Sequence, residues 1–147
     1  MKTMMSVIGM MAMLMLTVGI VQNCAAEEHE HGKKGEMKMP ETYAAAVKEI
    51  QHHSEAIDKA IKDGKLDTLH THGEEVKMLA LMLPKLASKA DSGVAQTDIK
   101  EINLTSKALA AKYEPLDEAG DAGKKAESQK VYDEMLPLIA TLKKFAK

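Results

Sequence analysis

The sequence predicts an all-α protein: an up-down-up-down four-helix bundle built from two repeated helical hairpins and preceded by a disordered arm. Its composition favours helix, because Ala, Leu, Lys and Glu abound while aromatic residues make up only 3% of the chain. Apolar residues recur at alternating spacings of three and four, which is the period of one helix face. Turns that contain glycine divide this pattern into four stretches.

Residues 1–26 have the character of a secretory signal peptide. A single basic residue, Lys2, precedes an apolar stretch that ends in the small residues Cys24, Ala25 and Ala26. We expect cleavage after Ala26 and a periplasmic location. Two alternatives are an uncleaved membrane anchor, because the stretch is nearly long enough to span a bilayer, and a lipoprotein modified at Cys24.

Charge and cysteine content exclude several classes of function. Cys24 is the only cysteine, so the cleaved chain has no disulfide, thiolate metal cluster or covalent haem attachment. Lys2 is the only charged residue of the leader, so cleavage changes the formal net charge from −2 to −3. This near-balance argues against nucleic acid and against an anionic membrane surface as a partner.

Residues 27–39 form the predicted arm, since they show no helical apolar period. Cleavage at the expected place puts His29 third from a free amine. That amine, two backbone amides and the imidazole make a square-planar nitrogen set, which suits Cu(II) and Ni(II). His31 could supply a further nitrogen, and Met37 and Met39 offer the thioethers that suit Cu(I).

The predicted bundle spans residues 40–147. Helix 1 begins at Pro40, since a first helical turn tolerates proline, and it ends at Gly64, which adopts the left-handed conformation cheaply. Helix 2 follows and ends before a turn at 91–93. The positions expected to face a partner in these two helices are Tyr43, Val47, Ile50, Ser54, Ile57, Ile61, Leu66, Leu69, Gly73, Val76, Ala80, Leu83 and Ala87.

Helix 3 is predicted from about residue 95 to 118, with Pro115 kinking it or ending it early. Helix 4 follows a turn at 120–123. The inward positions expected in these two helices are Ile102, Leu109, Tyr113, Leu116, Val131, Met135, Leu138, Leu142 and Phe145.

The second half of the bundle resembles the first at an offset of about 59 residues, which places Gly64 on Gly123 and Glu75 on Glu134. We interpret this as two copies of one hairpin; the alternative is that amphipathic helices align by chance. The fold does not require histidine at the matched positions, because His52, His53, His70 and His72 correspond to Ala111, Lys112, Gln129 and Val131.

All six histidines fall into three close pairs: His29/His31, His52/His53 and His70/His72. Imidazole is the commonest protein ligand for transition metals, so metal binding is the first hypothesis. Helical geometry places His53 and His72 near the line of inward-facing residues, which we call the seam. It turns His52 and His70 toward water. Along the bundle axis, His53 and His72 are expected about one turn, or ~6 Å, apart. The direction in which each side chain leans could narrow or widen this axial distance.

Carboxylates stand at helical spacing from these inner histidines. Glu49 precedes His53 by four residues, and Glu75 follows His72 by three, so each pair shares a helix face and forms a workable half-site. The alternative is that His53 and His72 are ordinary structural histidines.

An apolar outer face of helix 2, made by Met78, Leu81 and Met82, predicts a docking surface for a partner helix or a homodimer contact. A metal-free interaction module is therefore the first alternative function. A bundle that binds b-type haem is the second, with axial ligands drawn from His53, His72 and Met135. We expect no enzyme, because no nucleophile elbow, phosphate loop or zinc-protease helix is present.

Four strings carry a resemblance to small exported four-helix proteins associated with bacterial heavy-metal efflux systems: GKLDTLH at 64–70, LP at 83–84, LDEAGD at 116–121 and YD at 132–133. The resemblance covers residues 41–147, and Thr71 interrupts the more continuous histidine run that such proteins would carry. It implies an efflux-system or other envelope protein as partner. Together with the arm, it predicts a periplasmic accessory protein that binds or buffers copper, with nickel or zinc as the alternative metals.

Overall fold

The computed structural model describes residues 39–147, and every regular element within them is a helix. The bounds are α1 Tyr43–Asp63, α2 Leu69–Ala87, α3 Ile99–Ala110, α4 Tyr113–Asp121 and α5 Lys125–Lys143, with short 3-10 turns at Leu66–Thr68 and Gln96–Asp98. The predicted signal peptide and the arm up to residue 38, which includes His29, His31 and Met37, lie outside the described residues. Among the helices of residues 39–147, none is both long enough and apolar enough to cross a membrane.

The first helix begins three residues later than predicted. Thr42 is its N-cap: the Thr42 Oγ1 accepts a hydrogen bond from the backbone N–H of Ala45 at 3.2 Å, which satisfies one of the free donors of the first turn. Pro40 therefore lies before the helix and not in its first turn. The predicted inward residues of α1 are all buried, which confirms that part of the seam.

Two turns of the molecule share one geometry. Gly64 ends α1 with φ 73°, and Gly123 separates α4 from α5 with φ 66°. In each turn the glycine N–H donates to the carbonyl three residues before it, and the N–H of the following lysine, Lys65 or Lys124, donates to the carbonyl five residues before it. This pattern closes a helix end around a left-handed residue, where glycine carries no Cβ penalty.

The predicted interruption of the third helix by Pro115 is confirmed, but the helix begins later than predicted and the chain resumes as a separate helix. A two-residue break at Ala111 and Lys112 divides it into α3 and α4, and a 3-10 turn takes the place of its expected beginning. Pro115 explains the break, because it has no N–H to donate to the Ala111 carbonyl and its ring would clash with that carbonyl in a continuous helix. The helix resumes with the N–H of Leu116 donating to the Lys112 carbonyl at 3.2 Å.

The hydrophobic core lies where α2 and α5 each pack against α1, α3 and α4. The Tyr43 hydroxyl donates to the Leu142 carbonyl at 2.9 Å inside this core and so joins the first helix to the last. The predicted inward stripe of α5 is incomplete. Met135 and Leu142 are buried, and Val131, Leu138 and Phe145 are half-buried against the core, but Tyr132 and Ile139 are buried as well. The Ser54 hydroxyl of α1 donates to the Tyr132 hydroxyl at 3.4 Å.

The predicted outer face of α2 also needs correction. Met78 is 39% exposed and Leu81 is 54% exposed, as expected for an outer face. Met82 is half-buried and packs against the core. The outer apolar surface therefore consists of Met78 and Leu81 without Met82.

Candidate metal centre

The structure brings His53 of α1 and His72 of α2 into direct contact. Their Nδ1 atoms lie 3.2 Å apart, and their ring centroids are 5.5 Å apart with an angle of 42° between the ring planes. Both residues are half-buried at the packed α1/α2 interface. The two rings therefore meet although their positions were expected to lie one helical turn apart along the axis, because each side chain spans part of that distance.

A separation of 3.2 Å between two imidazole nitrogens admits two chemical states. With one proton between them, the two nitrogens form an N–H···N hydrogen bond between neutral rings. With no proton, both lone pairs can bind one cation: two nitrogens at about 2.0–2.1 Å from a tetrahedral metal lie roughly 3.3 Å apart. Cis nitrogens of a square-planar site would lie closer, at about 2.9 Å. The observed separation of 3.2 Å is thus closer to the tetrahedral spacing than to the square-planar one.

Burial favours the neutral form of both imidazoles. Burial lowers the pKa of His53 below its ordinary value of 6.5, and the neighbouring His72 and His52 lower it further, while Glu49 acts in the opposite direction. Burial lowers the pKa of His72 as well, with His52 as the second cause. Neutral imidazole is the form that binds metal, so protons compete weakly for this site near neutral pH.

His52 lies beside the pair without joining it. Its ring is edge-on to that of His53, with centroids 5.5 Å apart and an angle of 67°, and the side chain is exposed. The sequence expectation that His52 faces water is confirmed.

Glu75 is an unusual carboxylate on α2. It follows His72 on α2, it is half-buried, and its Oε2 atom is buried without a hydrogen-bond partner. Burial raises the pKa of its carboxyl, and the adjacent Glu74 adds to the rise. A buried carboxylate oxygen that lacks a partner costs free energy, so this oxygen needs an explanation. Within residues 39–147, no three side chains from His, Cys, Asp and Glu are already arranged to hold a metal ion.

His70 makes a contact that the sequence did not predict. Its side chain is 55% exposed, yet its Nδ1 lies 2.9 Å from Asp117 Oδ1 and 3.1 Å from the Tyr113 hydroxyl, both on α4. The hydrogen bond to Asp117 raises the pKa of His70, and the charge of the same carboxylate raises it further. Lys77 Nζ lies 4.5 Å from the centroid of the Tyr113 ring on the same surface.

No local spacing could have revealed this contact, because His70 and Asp117 are 47 residues apart. The Tyr113 ring lies against the backbone of α2: a Cβ on Gly73 would be 3.1 Å from Tyr113 Cδ2. Since glycine leaves that space free, α4 approaches α2 closely enough for its side chains to reach His70. Tyr113, which was predicted to be inward, is only half-buried.

The remaining sequence candidates are separate from the imidazole pair. Met39 is 48% exposed and lines a shallow depression with Ala45 and Glu49, among others. Met135 is buried in the core on α5. Axial imidazoles on opposite faces of a haem iron would have nitrogens about 4 Å apart with the porphyrin between them. The Nδ1 atoms of His53 and His72, 3.2 Å apart, are too close to be the two axial nitrogens of one haem, so this contact does not favour a bis-imidazole haem site through those atoms.

Comparison of the chain with protein-family models, with curated proteins and with solved structures gives no match.

Proposed function

We propose that this protein binds a transition-metal ion through His53 and His72 and acts as a metal-binding or buffering accessory protein in the periplasm. The observation that carries the proposal is the 3.2 Å approach of two Nδ1 atoms across the α1/α2 interface. The two helices hold both imidazoles in place before a metal arrives, which reduces the entropy that binding must overcome.

Two kinds of metal site follow from this proposal. The arm, through His29, His31, Met37 and Met39, is the site for copper, and nickel shares the preference for its square-planar nitrogen set. The His53/His72 pair suits a tetrahedral ion, of which Zn²⁺ is the common example with imidazole ligands. Copper remains the metal that we expect the protein to bind through its arm, and the His53/His72 pair would allow it to bind zinc as well.

The architecture proposed with this function is an up-down-up-down bundle of two repeated hairpins, exported by cleavage after Ala26. The shared geometry of the Gly64 and Gly123 turns supports the repeat. An efflux-system or other envelope protein is the partner expected from the resemblance, and nucleic acid is not. Mass spectrometry of the secreted protein tests the export proposal: the mature chain should begin at Glu27.

Metal titration tests the binding proposal. Zn²⁺ and Cu(II) are titrated into the processed chain, into a His53→Ala/His72→Ala variant and into a His29→Ala/His31→Ala variant. We expect the first double variant to lose an equivalent of Zn²⁺ and the second to lose the nitrogen-type d–d absorption of Cu(II). If the unmodified chain binds Zn²⁺ no more tightly than the His53→Ala/His72→Ala variant, the bundle site does not exist.

A second candidate function rests on the exposed side chains of Met78 and Leu81. An interaction module would dock a partner helix or a second copy of the chain on this face. Light scattering of the unmodified chain and of a Leu81→Lys variant distinguishes this function. A dimer that dissociates in the variant supports it, and monomers in both samples remove the homodimer.

A further inference from the structure

The second hairpin contains an ion pair at the place that corresponds to the candidate metal centre. Lys112 Nζ donates to Glu134 Oε2 at 2.6 Å, between α5 and the residue just before α4. At the offset of 59 residues, Lys112 corresponds to His53 and Glu134 to Glu75. The hydrogen bond from Lys112 lowers the pKa of Glu134, whereas burial raises that of Glu75.

The two carboxylates therefore differ in one respect that matters. Glu134 has a cation within hydrogen-bond distance, and Glu75 has a buried oxygen without a partner. The residue that corresponds to Lys112 in the first hairpin is His53, which offers a nitrogen lone pair in place of an ammonium group. The first hairpin thus has a group that binds cations at the position where the second hairpin has a cation of its own.

We infer that Glu75 is the third ligand of the metal bound by His53 and His72, and that this ion stands where the Lys112 ammonium stands in the second hairpin. The inference rests on the proposed function. His72 and Glu75 are three residues apart on α2, so they share a helix face. Within residues 39–147 the three groups are not already arranged around one point, so the inference requires the Glu75 carboxylate to reach the ion by rotation about its own side-chain bonds.

The chemistry of such a site fits a buffer better than a permanent structural ion. Two imidazoles and one carboxylate leave the fourth tetrahedral position to water or to a ligand from a partner. An open position lets a second protein attach to the metal before the first releases it. The negative charge of Glu75 also compensates the divalent ion at a half-buried site, where an unpaired charge would be costly.

Removal of the Glu75 charge is the first test. Zn²⁺ affinity is measured by competition with a chromophoric chelator in the full chain that carries His29→Ala/His31→Ala, so that the arm does not contribute. We expect Glu75→Gln to weaken Zn²⁺ binding by about 10- to 100-fold. The matched control is Glu55→Gln, which removes an exposed carboxylate from α1 and should leave the affinity within about twofold.

The outcomes of this test separate the inference from the proposed function. If Glu75→Gln binds Zn²⁺ as tightly as its parent while His72→Ala does not, the function stands and the third-ligand inference is wrong. If Glu49→Gln shows the loss in place of Glu75→Gln, the third ligand is on α1 and the inference is again wrong. If the parent chain does not bind Zn²⁺, the proposed function itself fails.

Exchange of residues between the hairpins is the second test. Lys112→His/Val131→His would copy the imidazole pair beside Glu134, and we expect the number of bound Zn²⁺ ions to rise from one to two. The reverse variant, His53→Lys/His72→Val, removes both imidazoles and should bind no Zn²⁺ at the bundle. The ammonium group introduced at position 53 should pair with the Glu75 carboxylate, as Lys112 pairs with Glu134.

Nuclear magnetic resonance gives an independent readout of the reverse variant, which needs no new metal site. The side-chain carboxyl of Glu75 should titrate at lower pH in that variant than in the unmodified chain, as expected for a carboxylate paired with lysine. An unchanged Glu75 titration would show that residues 53 and 75 do not meet, which would overturn the inference even if the Lys112→His/Val131→His variant fails to fold.

Discussion

His70 and His72 are two residues apart on α2, yet their environments oppose each other. His72 faces α1 and meets another imidazole at a half-buried interface, where burial lowers its pKa. His70 faces α4 and meets a carboxylate at the surface, which raises its pKa. The difference shows that proton affinity here is set by the neighbouring helix and not by position along the chain. The imidazole–imidazole contact and the imidazole–carboxylate contact therefore lie on different sides of one helix.

The largest expected difference between the two sides concerns metal affinity. His72→Ala should weaken Zn²⁺ binding by roughly 100-fold or more, because it removes one of the two imidazoles. His70→Ala should change it by less than about threefold, because His70 bonds Asp117 on the opposite side. Chelator competition at pH 7.5 measures both. An equal loss in the two variants would show that α2 presents both histidines to one ion.

The pH dependence of stability should have opposite signs on the two sides. His70 has a raised pKa, so its bond to Asp117 stabilises the fold below the unfolded value of 6.5, and this contribution is lost as the pH rises through the folded pKa. His53 and His72 have lowered pKa values, so the unfolded chain binds protons first and stability falls as the pH drops below 6.5.

Urea unfolding of the metal-free protein at pH 5.5 and pH 8 measures these signs. We expect His70→Gln to reduce stability more at pH 5.5 than at pH 8. A His53→Gln/His72→Gln variant should lose less stability than the unmodified chain when the pH falls from 8 to 5.5. The same pH response in both variants would contradict the division between the two sides.

The titration of individual histidines should separate the two sides directly. In the metal-free protein, nuclear magnetic resonance should show His70 titrating above 6.5 and both His53 and His72 below it. Asp117→Asn should bring the pKa of His70 down toward 6.5, because that carboxylate is the largest cause of the rise. It should leave His53 and His72 unchanged, and a shift there would reveal coupling across α2.

The smallest expected effect comes from the Tyr113 hydroxyl. Tyr113→Phe removes its 3.1 Å contact with His70 Nδ1 and leaves the 2.9 Å bond to Asp117. A single Nδ1 proton cannot serve both partners fully, and the carboxylate is the stronger acceptor. The pKa of His70 should remain raised in this variant, as read by the same resonance titration. A return to 6.5 would assign the main role to the hydroxyl.

Much of the fold was predictable because it depends on local patterns. The α1 seam from Tyr43 to Ile61 follows a period that any isolated helix would share, and the buried residues match it. Gly64 and Gly123 marked turns because left-handed backbone favours glycine wherever it occurs. Pro115 predicted an interruption of the third helix, although it did not predict that the chain would resume as a separate helix, α4.

Part of the candidate site was also predictable from the sequence, and the limit of that prediction has a physical reason. The angular positions of residues on an ideal helix correctly predicted that His53 and His72 face inward. Their axial positions predicted a separation of about one turn, because the direction of a side chain between two helices depends on how the helices pack. The buried Oε2 atom of Glu75, which has no hydrogen-bond partner, could not be predicted from the sequence, because burial of one carboxylate atom depends on all its neighbours. Met82 was misplaced for the same reason: a residue at the edge of a face is covered or exposed by the helix beside it.

The sequence by itself determined that residues 40–147 form helices, where most of their turns fall and which face of α1 is apolar, because these properties follow from short-range sterics and helical period. Only the tertiary structure decided which imidazoles meet, which carboxylate bonds His70 and which carboxylate oxygen is left without a partner. Those contacts join residues from 19 to 47 positions apart, and their distances are set by the packing of whole helices.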